Sequence, residues 1–409
     1  MTNWQPSPVE NRSIDALTAD LLVVGASVRA AVQSARRAGL SVVAVDLFGD
    51  RDLVELCPTI RLSRGWDELL SVAPQLNVRH WIYTGGLENH PRIVAALANR
   101  WPLLGADLSV LARVRDPRWL AALFARHGID FPLTMSATEW AQFQDSSRDS
   151  AVDIGGEWLG KPVRSAGGHQ IGWVGEIAAA RSRNRGGGWY QRYVRGGSYS
   201  GVFLAGSTCS LLGVTRQLVG QRWLGAQPFQ YCGSIGPLEL PAVLAEQWAR
   251  VGHLLADEGE LTGLFGVDAI VDGAGRLWPV EVNPRYSASA EVLERADGYS
   301  VIGKLMEMDR WPVSPAARRL GSPGGEAGPC QGKAILYAPS GLVVGEPLCE
   351  YLDRANRWAG TELYADLPWP GQWLEAGSPI LTVFAGGRDA AQVERRLRRR
   401  VEWLWSFLR

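Results

Sequence analysis

The chain has 409 residues, of which 46% are hydrophobic and 21% charged, and its 42 basic and 42 acidic side chains cancel to a formal net charge of zero. A balanced charge gives no field that would attract nucleic acid or anionic lipid, so we expect neither as a partner. No run approaches 18 consecutive apolar residues and the first ten residues are polar, so we expect no membrane span and no signal peptide. The five cysteines lack metal-ligand spacing, which favours reduced thiols in a cytoplasmic protein.

The first hundred residues alternate short apolar runs with helical patterns. Strands are predicted at 21–25, 41–46 and 81–84. This alternation predicts a Rossmann-like parallel sheet covered by helices, over residues 1–108. Ligands of such sheets lie at the carboxyl ends of the strands, and Asp46 and the stretch 85–88 fall on that rim. The glycine after the first strand lacks the dinucleotide fingerprint, so no nicotinamide site is predicted.

The rest of the chain is predicted to mix helices and strands. We expect helical stretches at 109–134, 139–153, 241–258 and 392–408, and strands within 158–218 and 264–283. The Gly-, Pro- and Ala-rich stretch 314–330 is typical of a linker. It separates a middle domain, 109–313, from a small β-rich C-terminal region, 331–409, that ends in the last helix. Trp403 and Trp405 on that helix suggest an interface and hence a homodimer.

The pattern with the most chemical content is a hairpin whose two apolar runs flank 272–276. If its loop spans 273–276, Asp268 lies opposite Glu281, with the two Cβ atoms about 5 Å apart. Asn283 is two residues beyond Glu281 and shares its face. Two carboxylates and an amide oxygen, without His or Cys, favour magnesium or manganese over zinc. The alternative is a surface hairpin with ordinary charges.

Two further stretches suggest an anion site and a nucleotide base site. Lys161 is followed by Pro162 and, shortly after, by the pair Gly167-Gly168. A lysine charge and the free backbone N–H groups of a glycine turn suit phosphate oxygens, although glycine pairs more often only make turns. In 189–200 a short strand runs into a glycine turn, and the exposed backbone near 192–194 would suit a purine base. Many hairpins share this second pattern.

The order of these pieces resembles the ATP-grasp superfamily. Lys-Pro with a glycine-rich loop is followed by Gln191-Arg-Tyr-Val-x-Gly-Gly, then by Gly266-Val-Asp, and finally by Glu281-Val-Asn-Pro-Arg285. The resemblance covers residues 25–304 and implies two α+β subdomains that clamp ATP after an α/β domain. It implies Asp268, Glu281 and Asn283 as magnesium ligands. It also implies an ATP site built from Lys161, Gly167, Gly168, Gln191, Arg192, Tyr193 and Val194.

One departure from the family concerns a second phosphate-binding lysine, which the family usually carries after the first domain. Here the segment reads Val114-Arg-Asp-Pro-Arg-Trp and contains no lysine. Arginine keeps the charge and adds a fork of donors. Asp116-Pro117 predicts a helix start, and the first turn of a helix favours an anion. We therefore expect Arg118 to replace the lysine, with Arg115 as the second choice and two solvated arginines as the alternative.

Within the superfamily the chain resembles the carboxylate–amine ligases, including tyramine–glutamate ligase and the pyrrolysine-biosynthesis ligase. The resemblance rests on Gly85-Gly-Leu-Glu-Asn, Arg115-Asp-Pro and Gln230-Tyr-Cys-Gly. It implies that an acid is activated as an acyl phosphate by ATP and transferred to an amine, with ADP and phosphate released. Lys161, Arg216 and Arg285 would offset the charge that builds in phosphoryl transfer. The expected substrate pocket contains Glu88, Asn89, Tyr231 and Ser234.

Three other functions remain open at the level of sequence. A small-molecule kinase would need a general base near the γ-phosphate, which the sequence does not exclude. A nucleotide-binding ATP-grasp protein without turnover would be expected to lack the metal ligands, which this chain keeps. A carboxylase would use bicarbonate, but no biotin-bearing Met-Lys-Met is present.

Overall fold

The computed structural model describes residues 17–148, 157–164, 166–175, 188–308 and 329–408. Almost all of the predicted linker, 314–330, lies outside these residues. The described strands are β1 (Leu17–Gly25), β2 (Val42–Asp46), β3 (Thr59–Arg61), β4 (Leu76–Tyr83), β5 (Thr134–Ser136), β6 (Trp158–Pro162), β7 (Gly172–Trp173), β8 (Gly188–Arg192), β9 (Gly196–Ala205), β10 (Cys209–Val219), β11 (Tyr231–Gly236), β12 (Gly263–Asp272), β13 (Leu277–Asn283), β14 (Cys330–Tyr337), β15 (Leu342–Val343), β16 (Tyr364–Ala365), β17 (Trp373–Leu374) and β18 (Pro379–Gly387).

The described helices lie between and after these strands. They are α1 (Arg29–Arg37), α2 (Arg51–Leu56), α3 (Glu68–Val72), α4 (Pro91–Ala98), α5 (Leu108–Val114), α6 (Pro117–Arg126), α7 (Ala137–Arg148), α8 (Ala242–Asp257), α9 (Ala288–Asp297), α10 (Val301–Met306), α11 (Glu346–Ala359) and α12 (Ala390–Leu408). Single turns of 3-10 helix occur at Ala73–Gln75, Leu87–Asn89 and Arg222–Leu224. None of the described helices is long and apolar enough to cross a membrane.

The N-terminal region forms a four-stranded parallel sheet in the order β3-β2-β1-β4, as the sequence predicts. Successive side chains of β1 are buried on both faces, because helices cover the sheet on both sides. At the rim, the Asp46 carboxylate accepts hydrogen bonds from the backbone N–H groups of Val28, Phe48 and Gly49 at 2.7–2.9 Å. The Asp46 carboxylate is thus already hydrogen-bonded to the protein's own backbone. Burial raises the pKa of Asp46 to about 6.

The helical prediction for 109–134 is only partly right. The stretch forms two helices, α5 and α6, which break at Arg115 and Asp116, and residues 127–133 are not helical. Asp116 is the N-cap of α6, its side chain accepts from the Arg118 N–H, and Pro117 occupies the first helical position. Proline is suited to that position because its missing N–H would be unpaired there in any case.

Two antiparallel sheets form the middle of the molecule. The smaller has the order β5-β8-β6-β7, and the larger has eight strands in the order β13-β12-β9-β10-β11-β14-β18-β16. Residues 193–195 connect β8 of the small sheet to β9 of the large one. The cores on the large sheet contain Phe203, Phe265 and Trp248, each at most 1% exposed.

The C-terminal region shares the large sheet with the middle of the chain. β14 pairs with β11, with Gly233 opposite Ala334, and β18 pairs with β14. The division into 1–108, 109–313 and 331–409 stays a prediction. The sequence missed α11, because its short helical pattern lies between turn-rich segments. The final helix is confirmed as α12. Of its two tryptophans, Trp403 is largely exposed, whereas Trp405 is partly buried and donates its indole N–H to the Trp223 carbonyl oxygen at 3.0 Å.

Candidate active site

A cleft of about 230 Å³ lies between the two antiparallel sheets. Most of the residues predicted from sequence line it: Lys161, Gly167, Gly168, Gln191, Arg192, Tyr193, Val194, Tyr231, Asp268, Glu281, Asn283 and Arg285. Six predicted residues do not line it. Arg115 borders a neighbouring cavity, and the others lie elsewhere, as described below: Glu88, Asn89, Arg118, Arg216 and Ser234. The cleft therefore brings together predicted site residues that are spread over more than 120 positions of the sequence.

The hairpin β12–β13 has the predicted register. Asp268 lies opposite Glu281, and Gly266 lies opposite Asn283, with a bulge after Asp268. The turn forms because the Asp272 carboxylate accepts the backbone N–H groups of Ala274 and Arg276 at 2.9 and 3.0 Å. Such Asx-type hydrogen bonds stabilise tight turns. The geometry of the turn then determines which residues lie opposite each other on the two strands.

Asp268 is held by a set of neutral donors. Gln217 Nε2 donates to Asp268 Oδ1 at 3.0 Å, and Asn283 Nδ2 donates to Asp268 Oδ2 at 3.1 Å. Ser198 in turn donates to Gln217 Oε1 at 2.7 Å. Burial, and next the Glu281 carboxylate, raise the pKa of Asp268 to about 6. Two acids side by side on one sheet repel unless a cation lies between them.

The donor set fits a hard divalent cation. Magnesium binds in proteins through one or two carboxylates and completes its shell with water and substrate phosphates. Asp268 and Glu281 supply two carboxylates, and the described parts of the chain hold no group of three His, Cys, Asp or Glu side chains arranged to bind a metal ion. The Asn283 Oδ1 atom accepts from Arg285 Nη2 at 2.9 Å. An amide oxygen has two lone pairs, so Asn283 Oδ1 keeps one for a metal ion.

Lys161 and the glycine loop close the opposite side of the cleft. Burial lowers the pKa of Lys161, while the carboxylates of Glu281 and Asp268 act to raise it. Gly168 has φ +78°, and a Cβ there would lie 2.0 Å from the Phe229 carbonyl oxygen. The Gly167 carbonyl oxygen accepts the Tyr231 N–H at 2.9 Å. The loop thus rests on the start of β11, and glycine is required for that close approach.

The stretch 191–194 forms one end of the cleft. The Arg192 and Tyr193 N–H groups donate to the carbonyl oxygens of Leu133 and Glu157, both at 2.8 Å. The Gln191 amide is buried and donates to Thr134 Oγ1 at 2.9 Å, so only its outer surface faces the cleft. Apolar side chains that the sequence did not single out line the cleft as well: Leu159, Ile171, Val219, Phe229, Ile270 and Val280.

Of the two arginines expected near the phosphates, Arg115 lies beside the cleft and Arg118 does not. The Arg118 side chain is 60% exposed, pairs with Asp116 at 3.2 Å and lies over the Trp189 ring. The ion pair with Asp116, the N-cap residue of α6, holds the Arg118 side chain outside the cleft. Arg115 lies beside Lys161 and Glu281 in the cavity that adjoins the cleft, and its Nη1 atom is buried without a hydrogen-bond partner among the described residues.

Arg216 does not occupy the predicted position at the transferring phosphate. Its Nη2 atom pairs with Glu394 of α12 at 2.6 Å. Successive side chains of a strand point to opposite faces, and it is the next residue, Gln217, that lines the cleft. The prediction for Arg216 is corrected accordingly, because the alternation of β10 directs it away from the site.

The predicted substrate residues divide into one that lines the cleft and three that lie behind it. Tyr231 lines the cleft, and its hydroxyl is 2.8 Å from Ser234 Oγ. Ser234 is fully buried behind it and lies 3.3 Å from Ser289 Oγ. Glu88 is 4% exposed and accepts from Arg285 Nε at 2.9 Å. Asn89 accepts from Arg115 Nη2 at 2.8 Å.

The sequence also missed the start of α9, which forms part of the cleft wall. Ser287, Ala288 and Ser289 line the cleft at the first turn of this ten-residue helix. Ser287 is the N-cap but makes no capping bond, and its Oγ atom is buried without a partner in the described structure. The sequence offered one signal for this residue: Ser287 comes two residues after Arg285, which was already predicted to belong to the site.

Part of the chain matches a known protein family. Residues 116–289 match the family model of the ATP-grasp domain. No curated protein matches the sequence.

Solved structures resemble the chain over nearly its whole length. The biotin carboxylase domain of 2-oxoglutarate carboxylase from Hydrogenobacter thermophilus has a TM-score of 0.67 at 14% identity, over 93% of this chain and 89% of that one. N5-carboxyaminoimidazole synthetase from Staphylococcus aureus in complex with ADP has a TM-score of 0.66 at 13% identity, over 94% and 97%. N5-carboxyaminoimidazole ribonucleotide synthetase from Thermus thermophilus has a TM-score of 0.63 at 16% identity, over 94% and 98%. At these identities the likeness shows the fold, and the family match identifies an ATP-grasp domain at residues 116–289.

Proposed function

We propose that this protein is an ATP-dependent carboxylate–amine ligase that forms an amide through an acyl phosphate and releases ADP and phosphate. The observation that carries the proposal is the single cleft, within the ATP-grasp domain, in which Lys161 and Arg285 surround the paired acids Asp268 and Glu281. Cations and acids in one cleft match the needs of phosphoryl transfer, which depends on positioning and on charge neutralisation.

The nucleotide base would lie at the 191–194 end of the cleft. The backbone there joins two strands, and the apolar side chains of Ile171, Phe229 and Ile270 line the same space. A flat heterocycle suits such walls, and the phosphates would then extend toward Lys161 and the glycine loop. Two of the similar structures contain ADP, one of them as its magnesium salt.

Asp268 and Glu281 would hold Mg²⁺ or Mn²⁺, with the amide oxygen of Asn283 as a third ligand. The metal, when bound, neutralises the charge on the phosphate oxygens. Burial raises the pKa of Asp268, and the neighbouring Glu281 carboxylate raises it further. A cation between the two acids would remove their repulsion.

The acid substrate would bind at the start of α9. The first-turn N–H groups of a helix and its dipole favour an anion. The unpaired Ser287 Oγ and the Arg285 guanidinium lie at the same wall of the cleft. A carboxylate held here would lie on the metal-binding side of the cleft, close to where the terminal phosphate of ATP is expected.

The chemistry then has two steps. A carboxylate oxygen attacks the γ-phosphorus, the bond to the β-phosphate oxygen breaks, and ADP leaves. The amine nitrogen attacks the acyl carbon, the carbon–oxygen bond to phosphate breaks, and inorganic phosphate leaves with the proton that the nitrogen gives up. Lys161, Arg285 and Arg115 offset the charge that builds on the transferred group. No covalent enzyme intermediate is needed, so binding and orientation carry the catalysis.

A second candidate is an amine carboxylase in which bicarbonate is the acid. It is favoured by the likeness to a biotin carboxylase domain whose structure contains bicarbonate and MgADP. The two candidates share the activation step and differ in the acid. A small-molecule kinase is the third possibility, and it would leave phosphate attached to the product.

The test is ADP release with magnesium and ATP, screened over pairs of carboxylic acids and amines, with a bicarbonate arm. A ligase releases ADP and free phosphate only when both an organic acid and an amine are present. Dependence on bicarbonate and an amine alone supports the carboxylase, and a phosphorylated hydroxyl compound supports the kinase. The Glu281→Gln variant is the matched control, because it removes one charge of the acid pair at nearly constant size. Turnover that is insensitive to the acid would contradict the ligase proposal.

A further inference from the structure

Glu88 joins the N-terminal domain to two arginines of the candidate active site. Its side chain is 1% exposed, and its Oε1 atom accepts from Arg285 Nε at 2.9 Å and lies 3.9 Å from Arg115 Nη1. Glu88 belongs to the 3-10 turn Leu87–Asn89, which follows β4 of the parallel sheet. One buried carboxylate is therefore shared by two guanidinium groups that come from different parts of the chain.

The two arginines border neighbouring cavities that share a wall. Arg285 lines the main cleft, and Arg115 lines the adjoining cavity. Lys161 and Glu281 line both cavities. The guanidinium groups therefore approach the same Lys161–Glu281 wall from two directions, with Glu88 behind them.

Each arginine has a second anchor of its own. Arg285 Nη2 donates to Asn283 Oδ1, and Arg115 Nη2 donates to Asn89 Oδ1 at 2.8 Å. The Arg115 Nη1 and Glu88 Oε2 atoms are buried without partners among the described residues. A buried guanidinium with an unused donor is unfavourable unless a ligand satisfies it, and a single carboxylate leaves the pair of arginines with net positive charge.

We propose that Glu88 is a positioning residue that holds Arg115 and Arg285 on two sides of the terminal phosphate of ATP. Its carboxylate offsets the repulsion between the two cations and fixes the angle of each through the N-terminal sheet. Glu88 would thus act through the arginines and would not contact the substrate. This role differs from the substrate-binding role expected from sequence. The proposal rests on the proposed function only in placing a nucleotide phosphate in the cleft.

The test compares the binding of two nucleotides, so that it does not depend on knowing the acid or the amine. Calorimetry with magnesium gives the affinities for ADP and for a non-hydrolysable ATP analogue, whose difference reports the contacts to the terminal phosphate. In Glu88→Gln we expect the ADP affinity to stay within about twofold and the analogue affinity to fall about tenfold, as when one charge-assisted hydrogen bond is lost. Glu88→Asp keeps the charge at a shorter reach and should give an intermediate ratio.

Glu68→Gln is the matched control, because this substitution removes the same charge at the surface of the N-terminal region. There the Glu68 carboxylate accepts from the Ser63 and Arg64 N–H groups. A purely structural role predicts a lower melting temperature in Glu88→Gln with an unchanged ratio of the two affinities, and that result would overturn the proposal. If Glu88→Gln does not fold, the Glu88→Asp ratio decides alone, and a ratio equal to wild type overturns it. A wild-type protein that binds both nucleotides but ligates nothing would contradict the ligase function and leave this inference standing.

Discussion

Replacing Lys161 by alanine probes the side of the cleft opposite the acid pair. The sequence contains three lysines, Lys161, Lys304 and Lys333, and only the first lines the cleft. Its ammonium group lies near the carboxylates of Glu281 and Asp268, and burial lowers its pKa. A phosphate in the cleft would supply the strong acceptor that offsets the cost of burying this charge.

The size of the effect follows from the kind of contact that is lost. A hydrogen bond between an ammonium group and a charged phosphate oxygen contributes roughly 1.5–3 kcal/mol. Lys161→Ala should therefore weaken binding of ATP by about 10- to 150-fold. Without the lysine, the carboxylates of Asp268 and Glu281 also repel the phosphates more strongly, which places the expected value in the upper half of that range.

Titration calorimetry with ATP and magnesium measures this change directly. Lys304→Ala is the matched control, because Lys304 is exposed on α10 and lies over the Tyr299 ring at 3.9 Å, away from the cleft. The control should bind ATP as wild type does. An ATP affinity of Lys161→Ala within twofold of wild type, in a folded protein, would refute the assignment of Lys161 to the nucleotide site.

Three other predictions test different parts of the account. Glu281→Gln should abolish magnesium-dependent ADP release while leaving the thermal melting curve near wild type, because Glu281 is exposed. Arg115→Ala should raise the KM for ATP, and the exposed Arg118→Ala should behave like wild type; the reverse pattern in ADP-release kinetics would restore the order expected from sequence. Burial raises the pKa of Asp52 to about 7, so the folded state binds the extra proton between about pH 4 and 7, and this contribution to stability is lost as the pH rises through 7. Asp52→Asn should therefore gain stability relative to wild type between pH 5 and 8 in chemical denaturation, and a constant difference between the two proteins would contradict that sign.

The acid pair was predictable because its geometry is local. The Asp272 turn fixes the hairpin register, and the register places Asp268 opposite Glu281 within one supersecondary unit. The Rossmann-like sheet was predictable for a similar reason, since buried strands alternate with helices along the chain. Lys161 lies on a different sheet from Asp268 and Glu281. No local pattern places the lysine beside these acids, so its position was predictable only through the resemblance to a family.

The assignment of arginines was less successful, because a guanidinium group can reach several partners. The start of α6 was predicted correctly, but its N-cap residue Asp116 also pairs with Arg118 and keeps it at the surface. Arg216 sits on the opposite face from Gln217, and only the packing of the large sheet against α12 decides which face meets the cleft. Glu88 was placed correctly on the rim, but its partners come from 115 and 285, which no local pattern connects.

The C-terminal region shows a signal that was present but not recognised. Leu348, Cys349 and Leu352 are buried at helical spacing on α11, after Pro347 near its start. That pattern is typical of an amphipathic helix. The addition of β14, β18 and β16 to the large sheet is different in kind, because strand pairing over a hundred residues depends on tertiary packing that the sequence pattern does not express.

The most direct test of the proposed ligase activity is the fate of the carboxylate oxygen. The acid that supports the greatest ADP release is labelled with oxygen-18 in its carboxyl group and incubated with the protein, ATP, magnesium and the matching amine. An acyl phosphate passes one carboxyl oxygen to phosphate when the amine displaces it, so we expect one labelled oxygen in each inorganic phosphate released. Unlabelled phosphate, with both labelled oxygens kept in the recovered acid or its products, would contradict activation of the acid by ATP in this cleft.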